Sequence, residues 1–240
     1  SGYSVSLSSD GSRVAIGALG NDGNGTASGH VRIYQYNNNS WSQLGADIDG
    51  EALGDYSGAS VSLSSDGSRL AIGAIANDGG GNNSGHVRIY QYNNNSWSQL
   101  GADIDGEDSG DESGYSVSLS SDGSRLAIGG YLNDGNGSSS GHARIYDYNG
   151  SAWVQVGADI DGEAALDRSG RSVSLSSDGT RVVIGAYLND AGNASSSDNR
   201  GHVRIYDYNG SAWVQVGADI DGEGAADSSG SSVSIASDGN

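Results

Sequence analysis

Residues 3–18 read YSVSLSSDGSRVAIGA, and the fold follows from this stretch. Tyr3, Val5 and Leu7 alternate with serines, the period-2 pattern of a strand with one apolar face. Asp10-Gly11 supplies the left-handed conformations of a tight hairpin turn. Val14 and Ile16 resume the alternation in RVAIGA, so strands a and b form an antiparallel pair. The glycine-rich NDGNGTASG then reads as a loop, and HVRIYQY as strand c, with Val31 and Ile33 on one side. A turn, NNNS, leads to strand d, WSQLGADI, which carries Trp41, Leu44 and Ile48. No segment has a helical period.

This unit repeats through the 240 residues. The copies span 1–56, 57–112, 113–168 and 169–228, and a further copy begins at 229 and runs to 240 as SGSSVSIASDGN. Four short strands per copy of about 56 residues predict an all-β fold, a β-propeller of four-stranded antiparallel blades. The main rival, a parallel β-helix, has shorter rungs and lacks tight antiparallel hairpins. One blade cannot bury both of its faces, whereas stacked blades can. Trp41, Trp97, Trp153 and Trp213 suit the wedge between them. Residues 229–240 read as the first strand of a fifth blade, which predicts part of a larger ring or a strand that pairs with another chain.

Composition limits the partners. The formal charge is −19, and Lys, Cys, Met, Pro and Phe are all missing. An acidic chain without a basic patch argues against nucleic acid and against an anionic bilayer surface. No apolar run is long enough to span a membrane, so membrane insertion is not expected. The chain starts without Met or a signal-type segment, which reads as a fragment or processed product.

SGYSVSLSSDGSRVAIGA followed by GHVRIYQY resembles the FG-GAP repeats of integrin-α-type propellers and their bacterial relatives. The Gly-Ala of the signature stands at Gly17-Ala18, Gly73-Ala74 and Gly185-Ala186, with Gly129-Gly130 in the third copy. Ser-Gly replaces the family's Phe-Gly, as at Ser1-Gly2 and Ser57-Gly58. A DG turn between a and b also resembles WD repeats. The resemblance implies an extracellular or cell-surface module for binding, adhesion or structural assembly. Integrin-type repeats carry a calcium loop between the strands corresponding to a and b. Here that connection is only SSDG, so the family's calcium site is not carried over.

Comparing the copies locates candidate sites. Six acidic positions recur in every copy and account for 24 of the 30 acids. Variation concentrates after the Ser-Gly (Tyr3, Ala59, Tyr115, Arg171, Ser231), in the b–c loop and in the d–a linker. Because strands alternate in direction, b–c and d–a connections leave on one face, where a protein or glycan ligand is expected. The recurrent acids on that face are candidate Ca²⁺ ligands, hard oxygens of the kind this ion takes. They are Asp22, Asp49, Glu51 and Asp55; Asp78, Asp105, Glu107 and Asp111; Asp134, Asp161, Glu163 and Asp167; and Asp190, Asp221, Glu223 and Asp227. The competing reading caps turns with these side chains and blocks sheet edges with their charge.

His30, His86, His142 and His202 occupy one equivalent position, which favours a structural role. With no distinct histidine, no cysteine and no nucleophile-elbow serine, the expectation is that the chain is not an enzyme. A propeller lectin with one sugar site per blade is the alternative function, with the four tryptophans as platforms. Eight N-x-S/T sequons allow N-glycosylation at Asn24, Asn82, Asn136 and Asn193 in b–c loops and at Asn38, Asn94, Asn149 and Asn209 in c–d turns.

Overall fold

The computed structural model describes residues 1–190 and 198–239. The first copy gives β1 (Ser4–Leu7), β2 (Arg13–Ala18), β3 (His30–Asn37), β4 (Ser40–Gln43) and β5 (Ile48–Asp49). The second gives β6 (Ser57–Leu63), β7 (Arg69–Ala74), β8 (His86–Asn93), β9 (Ser96–Gln99) and β10 (Ile104–Asp105). The third gives β11 (Ser116–Leu119), β12 (Arg125–Gly130), β13 (His142–Tyr148), β14 (Trp153–Gln155) and β15 (Ile160–Asp161). The fourth gives β16 (Ser169–Leu175), β17 (Arg181–Ala186), β18 (His202–Tyr208), β19 (Trp213–Gln215) and β20 (Ile220–Asp221). Each copy is one antiparallel sheet, and no helix occurs among the described residues.

Strand d departs from the single segment expected. In the first copy it breaks into β4 and β5, and both halves pair with β3, at Tyr34↔Gln43 and at Val31↔Ile48. The break falls at Gly45, whose φ is +81°. A Cβ built there would stand 2.8 Å from the ring of Trp97 in the next copy. Glycine is therefore required twice over, by the left-handed backbone and by the indole laid against it.

The apolar core lies between copies rather than within them. Ala15, Val31, Ile33 and Ile48 of the first copy pack with Leu63, Leu70, Ile72 and Tyr90 of the second. The same arrangement joins the second to the third and the third to the fourth. A sheet hydrophobic on both faces needs a neighbour on each side. On the first copy the face of β1 is open, and Tyr3, Val5 and Leu7 are each more than half exposed at 61, 57 and 58%. Their counterpart Leu63 is buried.

Polar contacts repeat in register with this packing. Ser4, Ser60, Ser116 and Ser172 each donate a hydroxyl hydrogen bond to a glycine carbonyl of the following copy, at 2.7–2.8 Å. Arg13, Arg69 and Arg125 reach the next a–b turn, donating to the carbonyls of Gly67, Gly123 and Gly179. Residues 229–239 continue the pattern against the fourth copy without forming a named strand. Gly230 accepts from Ser172, and Ile235 donates to the Ser174 hydroxyl.

Candidate functional site

The turns between strands a and b use their own carboxylates. Asp10 Oδ1 accepts from the Ser8 hydroxyl at 2.7 Å and from the Ser12 amide at 2.9 Å. These bonds stabilise the carboxylate and pull its pKa down to about 2. Asp66, Asp122 and Asp178 repeat the arrangement, and the four turns ring a cavity of about 780 Å³. The a–b connection is thus a self-capped turn.

The candidate metal acids fall into separate places. Asp22, Asp78, Asp134 and Asp190 each accept one backbone amide within the b–c loop, from Ala27, Asn83, Ser139 and Asn199. Asp55, Asp111 and Asp167 are buried and tie their own d–a linker to the next copy. Asp111 Oδ2, for example, accepts from the Asp108 amide and from Asn133 Nδ2, both at 3.0 Å. Asp227 accepts from the Gly224 amide. Asp49 lies beside His30, while Asp221 and Glu223 are exposed. Of the sequons, Asn24 and Asn136 use Nδ2 to hold the d–a linker through the carbonyls of residues 50–51 and 162–163. Asn38, Asn82, Asn94, Asn149 and Asn209 lie on exposed turns and loops, and Asn193 lies outside the described residues.

Glu51, Glu107 and Glu163 behave differently, because each crosses a junction to a buried histidine. Nδ1 of His86 faces Glu51 Oε2 at 3.9 Å and Asp103 Oδ2 at 3.8 Å. Asp105 stands 4.0 Å from the same nitrogen. His142 faces Glu107 and Asp159 at 3.8 Å, and His202 faces Glu163 and Asp219 at 3.9 and 3.8 Å. Each of these three histidines is only 1% exposed, and its Nδ1 has no hydrogen-bond partner. Burial, followed by the nearby arginine, pushes His86 and His142 down to about 4, so both imidazoles are neutral near pH 7. Partial burial raises Glu51 and Glu107. Arg88, Arg144 and Arg204 hold the outer oxygen of each glutamate at 3.5–3.8 Å and donate to the carbonyls of Asp49, Asp105 and Asp161. Comparison of the copies singled out the glutamates as candidate ligands, but it gave the histidines a structural role and left Asp103, Asp159 and Asp219 out of the set. The available signal was that every glutamate is followed, 35 residues on in the first two cases and 39 in the third, by the next copy's histidine.

The first copy lacks such a neighbour, and its side chains settle otherwise. Arg32 closes bidentate on Asp47 of its own strand pair, with its terminal nitrogen at 2.8 Å. His30 faces Asp47 and Asp49.

Three of the four tryptophans are junction residues. Trp97, Trp153 and Trp213 donate their indole N–H to the carbonyls of Leu44, Leu100 and Val156 of the preceding copy, at 2.8–2.9 Å. Trp41 is 46% exposed.

The b–c loop and d–a linker share one face, as their direct hydrogen bonds require: Gly54 donates to Thr26, and Tyr56 to Ala27. On this face the sequence departs from its repeat. Of 11 arginines, only Arg168, Arg171 and Arg200 fall outside the repeated positions. The tyrosines at positions not kept in all four copies are Tyr3, Tyr56, Tyr115, Tyr131 and Tyr187. Five of these residues, Tyr115, Tyr131, Arg168, Arg171 and Tyr187, converge where the third copy meets the fourth. Arg171 lies over Tyr115 at 4.2 Å and Tyr187 at 5.3 Å, and Tyr115 packs against Tyr131 at 4.3 Å. Arg168 donates to the Tyr187 hydroxyl at 3.1 Å. Burial, with Glu112 beside it, raises the Tyr131 phenol.

Residues 159–206 match the family model of the FG-GAP repeat. That span runs from the end of one strand d to the next strand c, so it holds both Glu163 and His202. No protein of curated function matches the chain in sequence. Among solved structures it is similar to an assigned 6-phosphogluconolactonase from Bacteroides uniformis (TM-score 0.59, 14% identity, 91% of this chain and 54% of that one). It is also similar to the periplasmic gluconolactonase of Pseudomonas aeruginosa (TM-score 0.58, 15% identity, 91% and 56%). Hydrazine synthase of Kuenenia stuttgartiensis is a third (TM-score 0.54, 13% identity, 91% and 48%). The chain spans about half the length of these structures. At such identities the likeness shows the fold alone. It does correct one expectation. Two of these neighbours are lactonases on the same fold, so a missing nucleophile elbow does not exclude the chain from being an enzyme. The sheets and the matched unit agree: the chain has a β-propeller fold, and residues 159–206 match an FG-GAP repeat whose pattern the other copies share.

Proposed function

We propose that this chain is an extracellular or cell-surface propeller module that binds a protein or glycan partner through its b–c/d–a loop face. The observation that carries this reading is the convergence there of residues not kept in all four copies. A repeat that keeps its junctions nearly constant has placed Tyr115, Tyr131, Arg168, Arg171 and Tyr187 in one patch. Rigid aromatic rings beside guanidinium groups make contact area at low entropic cost, and such residues anchor interfaces. Arg171, stacked between rings, offers planar donors to a carboxylate flanked by apolar surface. The patch is a local cationic exception on a chain of charge −19, so it favours a small acidic feature over an extended polyanion. A neighbour of periplasmic origin is compatible with the location. The test is display of the labelled protein on acidic-peptide and glycan arrays. Binding that weakens at least tenfold in Arg171→Ala, with an unchanged melting temperature, supports the reading; binding indifferent to Arg171→Ala and Tyr115→Ala overturns it.

A further inference from the structure

The three junction clusters have a property that the partner reading does not use. In each, a buried imidazole nitrogen without a hydrogen-bond partner is aimed between two carboxylates. Burying such an atom unpaired is costly, on the order of 1–3 kcal/mol, yet the arrangement recurs at every junction between complete copies. A carboxylate rotated to accept from Nδ1 would remove that cost. Instead the glutamate's outer oxygen is turned to arginine, as in Arg88 with Glu51 at 3.5 Å, and the inner oxygen stops 3.9 Å from the ring nitrogen. Gln99 likewise engages one oxygen of Asp103 and leaves the other facing His86.

We propose that each junction binds a divalent transition ion of the zinc class, held by Glu51, His86 and Asp103, by Glu107, His142 and Asp159, and by Glu163, His202 and Asp219. The donor set selects the ion. One nitrogen and two carboxylate oxygens leave a position open for water, which suits four-coordinate Zn²⁺. Calcium takes six to eight oxygens and gains little from imidazole. Zinc–ligand lengths of about 2.1 Å put tetrahedral donors about 3.4 Å apart. The nitrogen–oxygen separations are 3.8–3.9 Å and all three donor atoms of a cluster lie within 4.8 Å of one another, so closure takes about half an ångström along each nitrogen–oxygen edge and at most about 1.4 Å between the carboxylates, by side-chain rotation. The fourth group, His30 with Asp47 and Asp49, is excluded because Arg32 clasps Asp47 at 2.8 Å. The glutamate comes from one copy and the other two ligands from the next, so the ion would fasten neighbouring sheets across the junction.

The test is calorimetric titration of the chelator-stripped full chain with ZnCl₂, and separately with CaCl₂. The expected result is three Zn²⁺ per chain, retained in tenfold excess Ca²⁺, and a stoichiometry of two in Glu107→Gln. Zinc X-ray absorption on the wild-type chain reads the donors without any variant and should show one nitrogen in a first shell otherwise of oxygen. Fewer than three ions, three ions in Glu107→Gln, displacement by equimolar Ca²⁺, or an all-oxygen shell would each overturn the proposal.

Discussion

Gly129→Ala isolates the close approach of one copy to the next. Its φ is not in the left-handed region, so alanine meets no backbone penalty of its own. The added Cβ would stand 2.0 Å from the carbonyl oxygen of Gly170 and 2.5 Å from the Ser116 hydroxyl. Ordinary contact begins near 3.4 Å, so the copies must separate by more than 1 Å. Both obstacles are parts of one bond, Ser116 to the Gly170 carbonyl at 2.8 Å, and it breaks as the sheets part. Overpacking of this kind costs about 1–3 kcal/mol, and the lost hydrogen bond adds about 1 kcal/mol. Reduced freedom of the unfolded chain returns about 0.4–1 kcal/mol. The net expectation is a destabilisation of about 2–3 kcal/mol, a large share of the usual total of about 5–15 kcal/mol. Urea unfolding followed by tryptophan fluorescence measures it. Gly110→Ala is the control: its φ is +89°, but nothing lies within 4 Å of the added carbon, so only backbone strain of about 1 kcal/mol is expected. A Gly129→Ala loss below 0.5 kcal/mol, or one no larger than that of Gly110→Ala, would refute the account of this glycine.

Other perturbations read other parts of the junction. Trp153→Phe keeps the ring packing but strands the Leu100 carbonyl, and a loss of about 1–2 kcal/mol in urea is expected. Asp111→Ala leaves buried Asn133 Nδ2 and the Asp108 amide without their acceptor, so a loss of about 2–3 kcal/mol is expected in the same assay. Acidity gives a third readout. Hydrogen bonds hold Asp10 down to about 2, and Asp66, Asp122 and Asp178 are lowered as well. Folded-state values below the unfolded one make the folded chain bind fewer protons. The resulting stability is complete above about pH 4 and lost as pH falls toward 2. A melting temperature that stays flat from pH 5 to pH 2.5 would contradict this, as would one that rises on acidification.

The propeller was legible because its signals are local and repeated. Alternation in YSVSLSS, the Asp10-Gly11 turn and the copy length required nothing distant. The break in strand d was not legible, because Gly45 answers to Trp97 in another copy. The candidate site was half legible for the same reason. The sequence ranks Asp22, Asp55 and Glu51 together, all acids on one face. Only packing separates a loop cap, a buried pin and a carboxylate that faces the next copy's histidine. His86 read as structural because it repeats, yet its nitrogen is left unpaired by a geometry set between copies. Equally, Arg171 and Tyr115 lie 56 positions apart in the sequence and meet only because the repeat length brings equivalent positions side by side.

The central claim is that constant junctions support one individualised binding face. Hydrogen–deuterium exchange, with and without the partner selected on the arrays, tests it most directly. Protection is expected in peptides covering Tyr115, Tyr131, Arg168–Arg171 and Tyr187, with none gained at the a–b turns around Asp66 and Asp122. Protection confined to those turns, or to strand d, would contradict the account.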